Sequence, residues 1–518
     1  MRKNGWDKGH GARDNWTAGP QDYRTTDNRT GETMKRGNGE AEKRRDGERE
    51  NQTYGQIGRL GRSWNVTETE RRETEKRRNG EFTHYASRIT HHESRSTKEV
   101  LPLLSLRRRI ESLTPKQIVL LVFVIAFLIR LAFLATKPHA FTHQLQAGDE
   151  PVYHGIAANL AEGQGYVYDG QPTARYGPSY PVFIAAIYRT FGINPVFGRF
   201  GNVVLGALLC VLIALWSMRI WGANAGIVSG LFAAFYYPFV QLPPYLMTEN
   251  LYLPLFVAAM TGSWWLSNSG EASKRFGSYA VGLFVGTLWG VAALTRAIAL
   301  PISLLASLWL AVRGQLKLAG ILVATIILGL FPWTVRNWLV FKTFVPIQLS
   351  AGHDLYLSFG PSGTEPKVLG HWNWGSDVER PKLPEGLTPA EQDKWLRQQA
   401  LACLKSNPME ALVKRAPRKL ANLLVPFYGT ASLPNKLLTS LFYLALLLLS
   451  VPSLIKAWRS KDHKERTFAE LVLLVALLTI TFHAIFYGVV RYRYPIDALL
   501  LVAVGGTASV VRKEESEK

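Results

Sequence analysis

From residue 116 onward the chain falls into apolar runs of about 20 residues separated by polar breaks. The runs lie at 116–135, 199–219, 222–241, 248–267, 277–296, 297–313, 317–335, 437–456, 468–489 and 494–511. Twenty helical residues rise ~30 Å, the thickness of a bilayer's hydrocarbon core. The pattern predicts an all-α polytopic membrane protein, a bundle of about ten transmembrane helices. Four regions follow from it: a charged tail at 1–110, a transmembrane module at 111–335 that includes an outer loop at 136–198, a long outer loop at 336–436, and a last set of spans at 437–518.

Averaged over 518 residues the chain is 47% hydrophobic and 19% charged, values that describe neither the tail nor the rest. Residues 1–100 are rich in Arg, Glu, Gly, Asn and Thr, and "EKRRDGE" at 42–48 nearly recurs as "EKRRNGE" at 75–81. Such a segment buries too little apolar surface to offset its ordering entropy, so disorder is expected. Its interleaved acids dilute the basic runs, which argues against nucleic acid as a partner and leaves attraction to anionic lipid. The Asn-x-Thr triplets at Asn15, Asn28, Asn51 and Asn65 fit chance in so Asn- and Thr-rich a stretch. The first apolar run starts more than 100 residues in, so span one is expected to direct insertion. With two cysteines, Cys210 in an apolar run and Cys403 in a polar loop, no disulfide or structural zinc site is expected.

Basic residues mark one side of the membrane. "RRRIESLTPK" precedes span one, "EASKR" and "RGQLK" follow spans four and six, "KAWRSKDHKER" separates spans eight and nine, and "RKEESEK" ends the chain. All fall on the cytoplasmic side if the N-terminus is inside. Charged residues on the other side, among them Glu249, Arg296, Arg491 and Arg493, then defy the inside bias and are candidates for function.

The first outer loop holds adjacent acids, Asp149 and Glu150, ahead of Pro151. Pro151 suits a first helical turn and Gly163 a helix end. Val152, Ile156 and Leu160 share one face, with Tyr153 and Ala157 beside them, which predicts a short amphipathic helix on the membrane surface. Capping could explain one acid, because a carboxylate favours a helix N-terminus. Two adjacent acids repel, so one should protonate more readily or a cation should stand near.

Several stretches together resemble the polytopic GT-C glycosyltransferases: "AGDEPVYHGIAANLAEGQGYV" with "TARYGPSYPVFIAAIYRTFG", "MTENLYLPLF" (247–256), "ALTRAIALP" (293–301), "FPWTVRNWLVFKTFVPI" (331–347) and "RYRYPIDALLLV" (491–502). That group includes the dolichyl-phosphate-mannose–protein mannosyltransferases and the bacterial aminoarabinose transferase to lipid A. The resemblance covers roughly 116–512. It implies a polyprenyl- or dolichyl-phosphate sugar donor used with inversion on the non-cytoplasmic face; the membrane is expected to be a bacterial inner membrane rather than the endoplasmic reticulum. It matches the first-loop Asp to Asp149 and its neighbour to Glu150. Where the aminoarabinose group carries a Lys-Pro-Pro stretch, this chain has "RYGPSYP" with Arg175, Tyr176 and Pro178, so lipid A is not carried over as the acceptor. No soluble repeat domain like that of the protein mannosyltransferases is visible.

The chemistry implied needs a base for the acceptor hydroxyl and cations for the departing phosphate. Asp149 is the candidate base and Glu150 its helper, orienting it or binding a metal. Arg175, Arg296, Arg491 and Arg493 are candidates for the phosphate, which Arg forks bidentately. Tyr153, Tyr176 and Glu249 are candidate substrate-binding residues. No cofactor is called for, although His154 and His353 are of the type that joins acids around a divalent metal. The acceptor is a lipid, a glycan or a protein. In the long outer loop "HWNWG" (371–375) is of the kind that stacks on sugars, Thr388 and Glu391 form a capping box opening a helix to about Ser406, and Asn407-Pro408 starts another to about Leu424. A lipid-sugar flippase would instead set its charges within the spans, where Arg130 is the main one; a non-catalytic scaffold would not need Asp149.

Overall fold

Thr114 opens the first span with a capping box. Its hydroxyl accepts from the Gln117 amide at 3.4 Å, and the Gln117 side chain accepts from the Thr114 amide at 2.8 Å. The computed structural model describes residues 113–146, 148–269, 276–361, 369–370, 382–429 and 431–508. The tail at 1–110, the aromatic stretch at 371–375 and the basic segments at 271–275 and 512–518 lie outside the described residues.

Helix α1 spans Pro115–Ala135, and the first outer loop follows with α2 (Glu150–Ala161), a hairpin of β1 (Val167–Tyr168) and β2 (Gln171–Pro172), and α3 (Ser179–Phe191). Asp169 and Gly170, both at positive φ, make the tight turn that pairs Tyr168 with Gln171. Next come α4 (Pro195–Trp221), α5 (Ala223–Phe235), the single turn α6 (Tyr237–Val240), α7 (Glu249–Asn268), α8 (Phe276–Thr295), α9 (Ala299–Val312) and α10 (Leu316–Phe341). The long loop contains α11 (Ala351–Phe359), α12 (Pro389–Ser406) and α13 (Ala416–Leu424). The chain closes with α14 (Leu433–Arg459), α15 (His463–Ile485) and α16 (Tyr494–Val504).

Each apolar run contains a helix, so the molecule is an all-α polytopic membrane protein. Among the described residues six helices, α1, α4, α8, α10, α14 and α15, are long and apolar enough to cross a membrane. The other runs give shorter or more polar helices, so a count of ten spans does not follow from helix length. Several boundaries move, among them those of α4, which begins at Pro195 behind an Asn194 cap rather than at 199, of α10, which continues to Phe341 rather than ending at 335, and of α15, which spans His463–Ile485 rather than 468–489. Helix α12 follows its Thr388–Glu391 capping box as expected. The helix expected from 408 to 424 is instead divided into a π-helical turn at Met409–Lys414 and α13, because Pro417 lacks the N–H that an uninterrupted helix requires.

Arg130, the charge expected within span one, is fully buried. Its guanidinium donates to the carbonyls of Ala126 (3.2 Å), Ala234 (3.3 Å) and Ala233 (3.4 Å) and to Cys210 Sγ (3.2 Å). Ala233 and Ala234 end α5, where Pro238 stops the helix and leaves carbonyls without N–H partners. Arg130 therefore closes a broken helix rather than lining a path.

Candidate functional site

The site forms where the first outer loop meets the ends of α7, α8 and α15. Asp149 precedes α2 but makes no side-chain cap. Its Oδ1 accepts from the Tyr176 hydroxyl at 2.6 Å, and its Oδ2 lies 3.3 Å from Arg491 Nη2. Burial pushes its carboxyl up, but Arg491, the Tyr176 hydrogen bond and Arg175 outweigh burial and hold it below the usual carboxylate range. Burial, and then the same carboxylate, push the Tyr176 phenol up, which keeps it a donor.

Glu150 turns the other way, because successive side chains on a helix diverge by about 100°. Its Oε2 accepts from the Gln146 amide (2.6 Å), and its Oε1 accepts from the Leu246 amide (3.1 Å) and faces Arg199 Nη2 at 3.3 Å. Arg199 also donates to the carbonyls of His139 (2.6 Å), Ala140 (3.3 Å), Thr142 (3.0 Å) and Gln144 (2.6 Å). Glu150 and Arg199 are thus buried together beneath the site and bind the 139–146 loop, α2, α4 and the turn before α7 to one another.

Arg491 joins two acids. Besides Asp149 it approaches Glu249 Oε1 with its Nε at 3.7 Å, and the same Glu249 oxygen is 2.5 Å from Arg296 Nη1. Glu249 Oε2 accepts from Thr248 Oγ1 at 3.2 Å. The Tyr492 ring lies under both guanidiniums, with centroid distances of 5.1 Å to Arg296 and 5.7 Å to Arg491, and stacks on His483. Glu249 is buried and Arg296 reaches the surface in part.

The remaining candidates are distributed around this cluster. Arg175 is exposed, 5.5 Å over the Tyr176 ring. Tyr153 is buried beneath Tyr176, with ring centroids 4.6 Å apart, and meets Tyr180 edge-on. Arg493 does not join the cluster. It pairs with Asp497 at 3.2 Å, donates to the carbonyls of Leu423 (3.1 Å) and Val425 (2.7 Å) and covers the Tyr443 ring. Val490–Arg493 is a 3-10 turn, in which residues two apart point in different directions. His154 pairs with the Tyr188 hydroxyl at 2.8 Å and His353 lies 4.0 Å from Asp354, both apart from Asp149. Among the described residues no group of three or more His, Cys, Asp or Glu is placed to hold a metal.

The face of α2 expected to rest on the membrane is covered by protein. Val152 and Ile156 pack with Tyr166, Tyr168 and Trp333. Arg336 fastens this arrangement by donating to the carbonyls of Thr173 (2.8 Å) and Tyr166 (3.0 Å) while stacking on Trp333. Sequence reasoning did not assign Arg199, Arg336 or Tyr492. The signal for Arg199 was a charge at the head of an apolar run, and for Tyr492 its place between two arginines.

No protein-family model and no curated protein sequence matches this chain. Solved structures do. The archaeal oligosaccharyltransferase AglB from Archaeoglobus fulgidus, in complex with an inhibitory peptide and a dolichol-phosphate, aligns over 78% of this chain and 51% of its own at 17% identity and a TM-score of 0.51. The same archaeon's oligosaccharyltransferase in its apo form gives 15% identity, 76% and 51% coverage and a TM-score of 0.50. The chain has a GT-C-type membrane fold. It spans about half the length of those oligosaccharyltransferases. ArnT from Cupriavidus metallidurans bound to undecaprenyl phosphate aligns over 77% of this chain and 78% of its own, at 15% identity and a lower TM-score of 0.40. In this GT-C-type chain, the loop carrying Asp149 and the helix ends carrying Glu249, Arg296 and Arg491 meet at one end of the bundle.

Proposed function

We propose that the protein is a membrane glycosyltransferase that moves a sugar from a polyprenyl- or dolichyl-phosphate carrier to a hydroxyl acceptor, with inversion, on the non-cytoplasmic face of a bacterial inner membrane. The observation that carries this reading is the Asp149–Arg491–Glu249–Arg296 chain of ion pairs, in which a carboxylate suited to act as base lies beside guanidiniums suited to a phosphate. Asp149 takes the proton of the acceptor hydroxyl as its oxygen forms a bond to the anomeric carbon. The bond from that carbon to the phosphate oxygen breaks on the opposite face, and the lipid phosphate leaves carrying the electron pair. Arg296 and Arg491 stabilise the departing phosphate, and Arg175 stands at the mouth. A transferase with so good a leaving group needs no general acid at the bond broken.

The shared fold with an oligosaccharyltransferase solved with dolichol-phosphate supports a lipid-phosphate carrier. A transporter reading is weaker, because the buried charge within span one is committed to helix carbonyls, while Asp149, Glu249, Arg296 and Arg491 meet at one end. The deciding experiment is Asp149→Asn in purified protein. Transfer should fall by at least about a thousandfold, with undecaprenyl phosphate binding and thermal midpoint within error of wild type. Full transfer in the variant would remove Asp149 from the base role.

A further inference from the structure

Residues 409–424 of the long outer loop turn polar side chains inward and large apolar ones outward. Buried Arg415 donates to the Gly360 carbonyl at 3.0 Å. Buried Lys419 donates to the Ile485 carbonyl at 2.7 Å and covers the Phe359 ring. Buried Asn422 accepts from the Gly370 amide at 2.9 Å, and Leu423 is buried beside it. On the outside stand Met409 (67% exposed), Leu412 (42%), Val413 (55%) and Leu424 (43%). Pro417 and Ala421 are exposed between them. A helix bathed in water does the reverse, keeping apolar side chains on the protein and polar ones in solvent. Apolar side chains that recur on the outside of one segment mark a surface that meets another apolar phase.

The place of the segment specifies that phase. Helix α15 is long and apolar enough to cross a membrane. Leu473, Leu477 and Ile485 are exposed along it at spacings of four and eight residues, the stripe such a helix turns to lipid. Ile485 is the last residue of α15, and its carbonyl is the one that Lys419 holds. Helix α13 therefore crosses the end of a lipid-facing stripe, at the level where hydrocarbon gives way to headgroups. Lys414 and Arg418 are exposed on the same segment, long cationic side chains of the kind that reach from an apolar surface to lipid phosphates.

We propose that residues 409–424 lie in the bilayer interface of the leaflet on the site's side. Met409, Leu412, Val413 and Leu424 sit among the acyl chains, and Lys414 and Arg418 sit at the phosphates. The partner of this surface is lipid, so the long outer loop is bounded by the membrane here rather than standing free in water. Arg493 ties the end of the segment to the turn that carries Arg491, through the carbonyls of Leu423 and Val425. Lipid thus borders the supports of the site. The inference needs only the fold and is independent of the sugar, the donor and the role of Asp149.

The test is spin labelling of the full chain in lipid nanodiscs. Cys403→Ser removes the partly exposed native thiol, and Cys210 is buried. Labels at Val413→Cys and Leu424→Cys are compared with Leu477→Cys as the lipid reference and Lys461→Cys as the water reference. Oxygen, which concentrates among acyl chains, should relax the labels at 413 and 424 more than a water-soluble nickel chelate does, as at 477. The order should be reversed at 461. Stronger relaxation by nickel at 413 and 424, with thermal midpoints at the wild-type value, would set the face in water and overturn the proposal. Shielding from both probes would show that protein covers it, another part of the chain or a second copy, and would overturn lipid as the partner. A second measurement uses no label. Leu412→Asp combined with Val413→Asp should lower the thermal midpoint in nanodiscs, because two carboxylates would be drawn out of water. An unchanged midpoint would overturn the insertion of this face.

Discussion

Asp149 is partly buried, yet its ionised form is the favoured one, and that fact governs how the site responds to pH. Burial alone would raise its pKa; Arg491, the Tyr176 hydroxyl and Arg175 together lower it past the ordinary value. A depressed carboxyl stabilises the fold at pH above its unfolded value, and that contribution is lost as pH falls through the folded one. A base with this environment stays competent into mildly acidic solution. Tyr176→Phe removes the 2.6 Å hydrogen bond but keeps the ring that packs on Tyr153. The acid limb of kcat/KM should then move to higher pH, because a group that favoured the ionised form is gone. A profile identical to wild type would disconnect Asp149 from the titrating step. Glu150→Gln should not move that limb, since Glu150 faces Arg199 and two backbone amides rather than the open site.

At the scale of elements, the site depends on contacts that hold the first outer loop to the helix ends. Arg199 collects four carbonyls and Glu150 in a fully buried position. Arg199→Met would leave Glu150 buried without its cation and should cost about 3–5 kcal/mol, measured as a fall in thermal midpoint. Gly177 is a second such contact: a Cβ there would collide with the Leu294 carbonyl oxygen, two residues before Arg296. Because the obstacle is backbone, Gly177→Ala should cost about 1–3 kcal/mol and lower transfer by separating Asp149 from Arg296. These contacts explain what was legible in the sequence. The apolar runs specified the helices and the polar loops specified which ends gather charge, because both are local patterns. Asp149, Glu249, Arg296 and Arg491 could be nominated that way. Which acid meets which cation depends on residues as far apart as Asp149 and Arg491, and local patterns carry no such information. Arg493 illustrates the limit: two residues from Arg491, it turns into the core to meet Asp497. Glu150 illustrates it again, adjacent to Asp149 and facing the opposite way.

For the whole molecule, the decisive property is which compartment the site faces. The ends of the bundle differ chemically. Asp149, Glu249, Arg296 and Arg491 gather at one, while at the other Arg313 pairs with Glu470 at 2.5 Å beside Arg466 at 3.4 Å. Lys456, Arg459, Lys461 and Lys464 crowd that second end, the bias expected of a cytoplasmic surface. The native thiols supply a reporter. Cys210 is buried against Arg130, whereas Cys403 is partly exposed on α12, in the loop that follows α10 on the site's side. A membrane-impermeant maleimide applied to intact spheroplasts should therefore label Cys403 and leave Cys210 unmodified. A cysteine introduced at the exposed Lys461 should react only after permeabilisation. The opposite result, with Lys461→Cys labelled from outside and Cys403 protected, would set Asp149 in the cytoplasm. A donor carried across the membrane before use would then be the wrong substrate, because the site would meet soluble nucleotide sugars directly. The labelling pattern thus tests the chemistry as well as the orientation, and it needs no knowledge of the sugar.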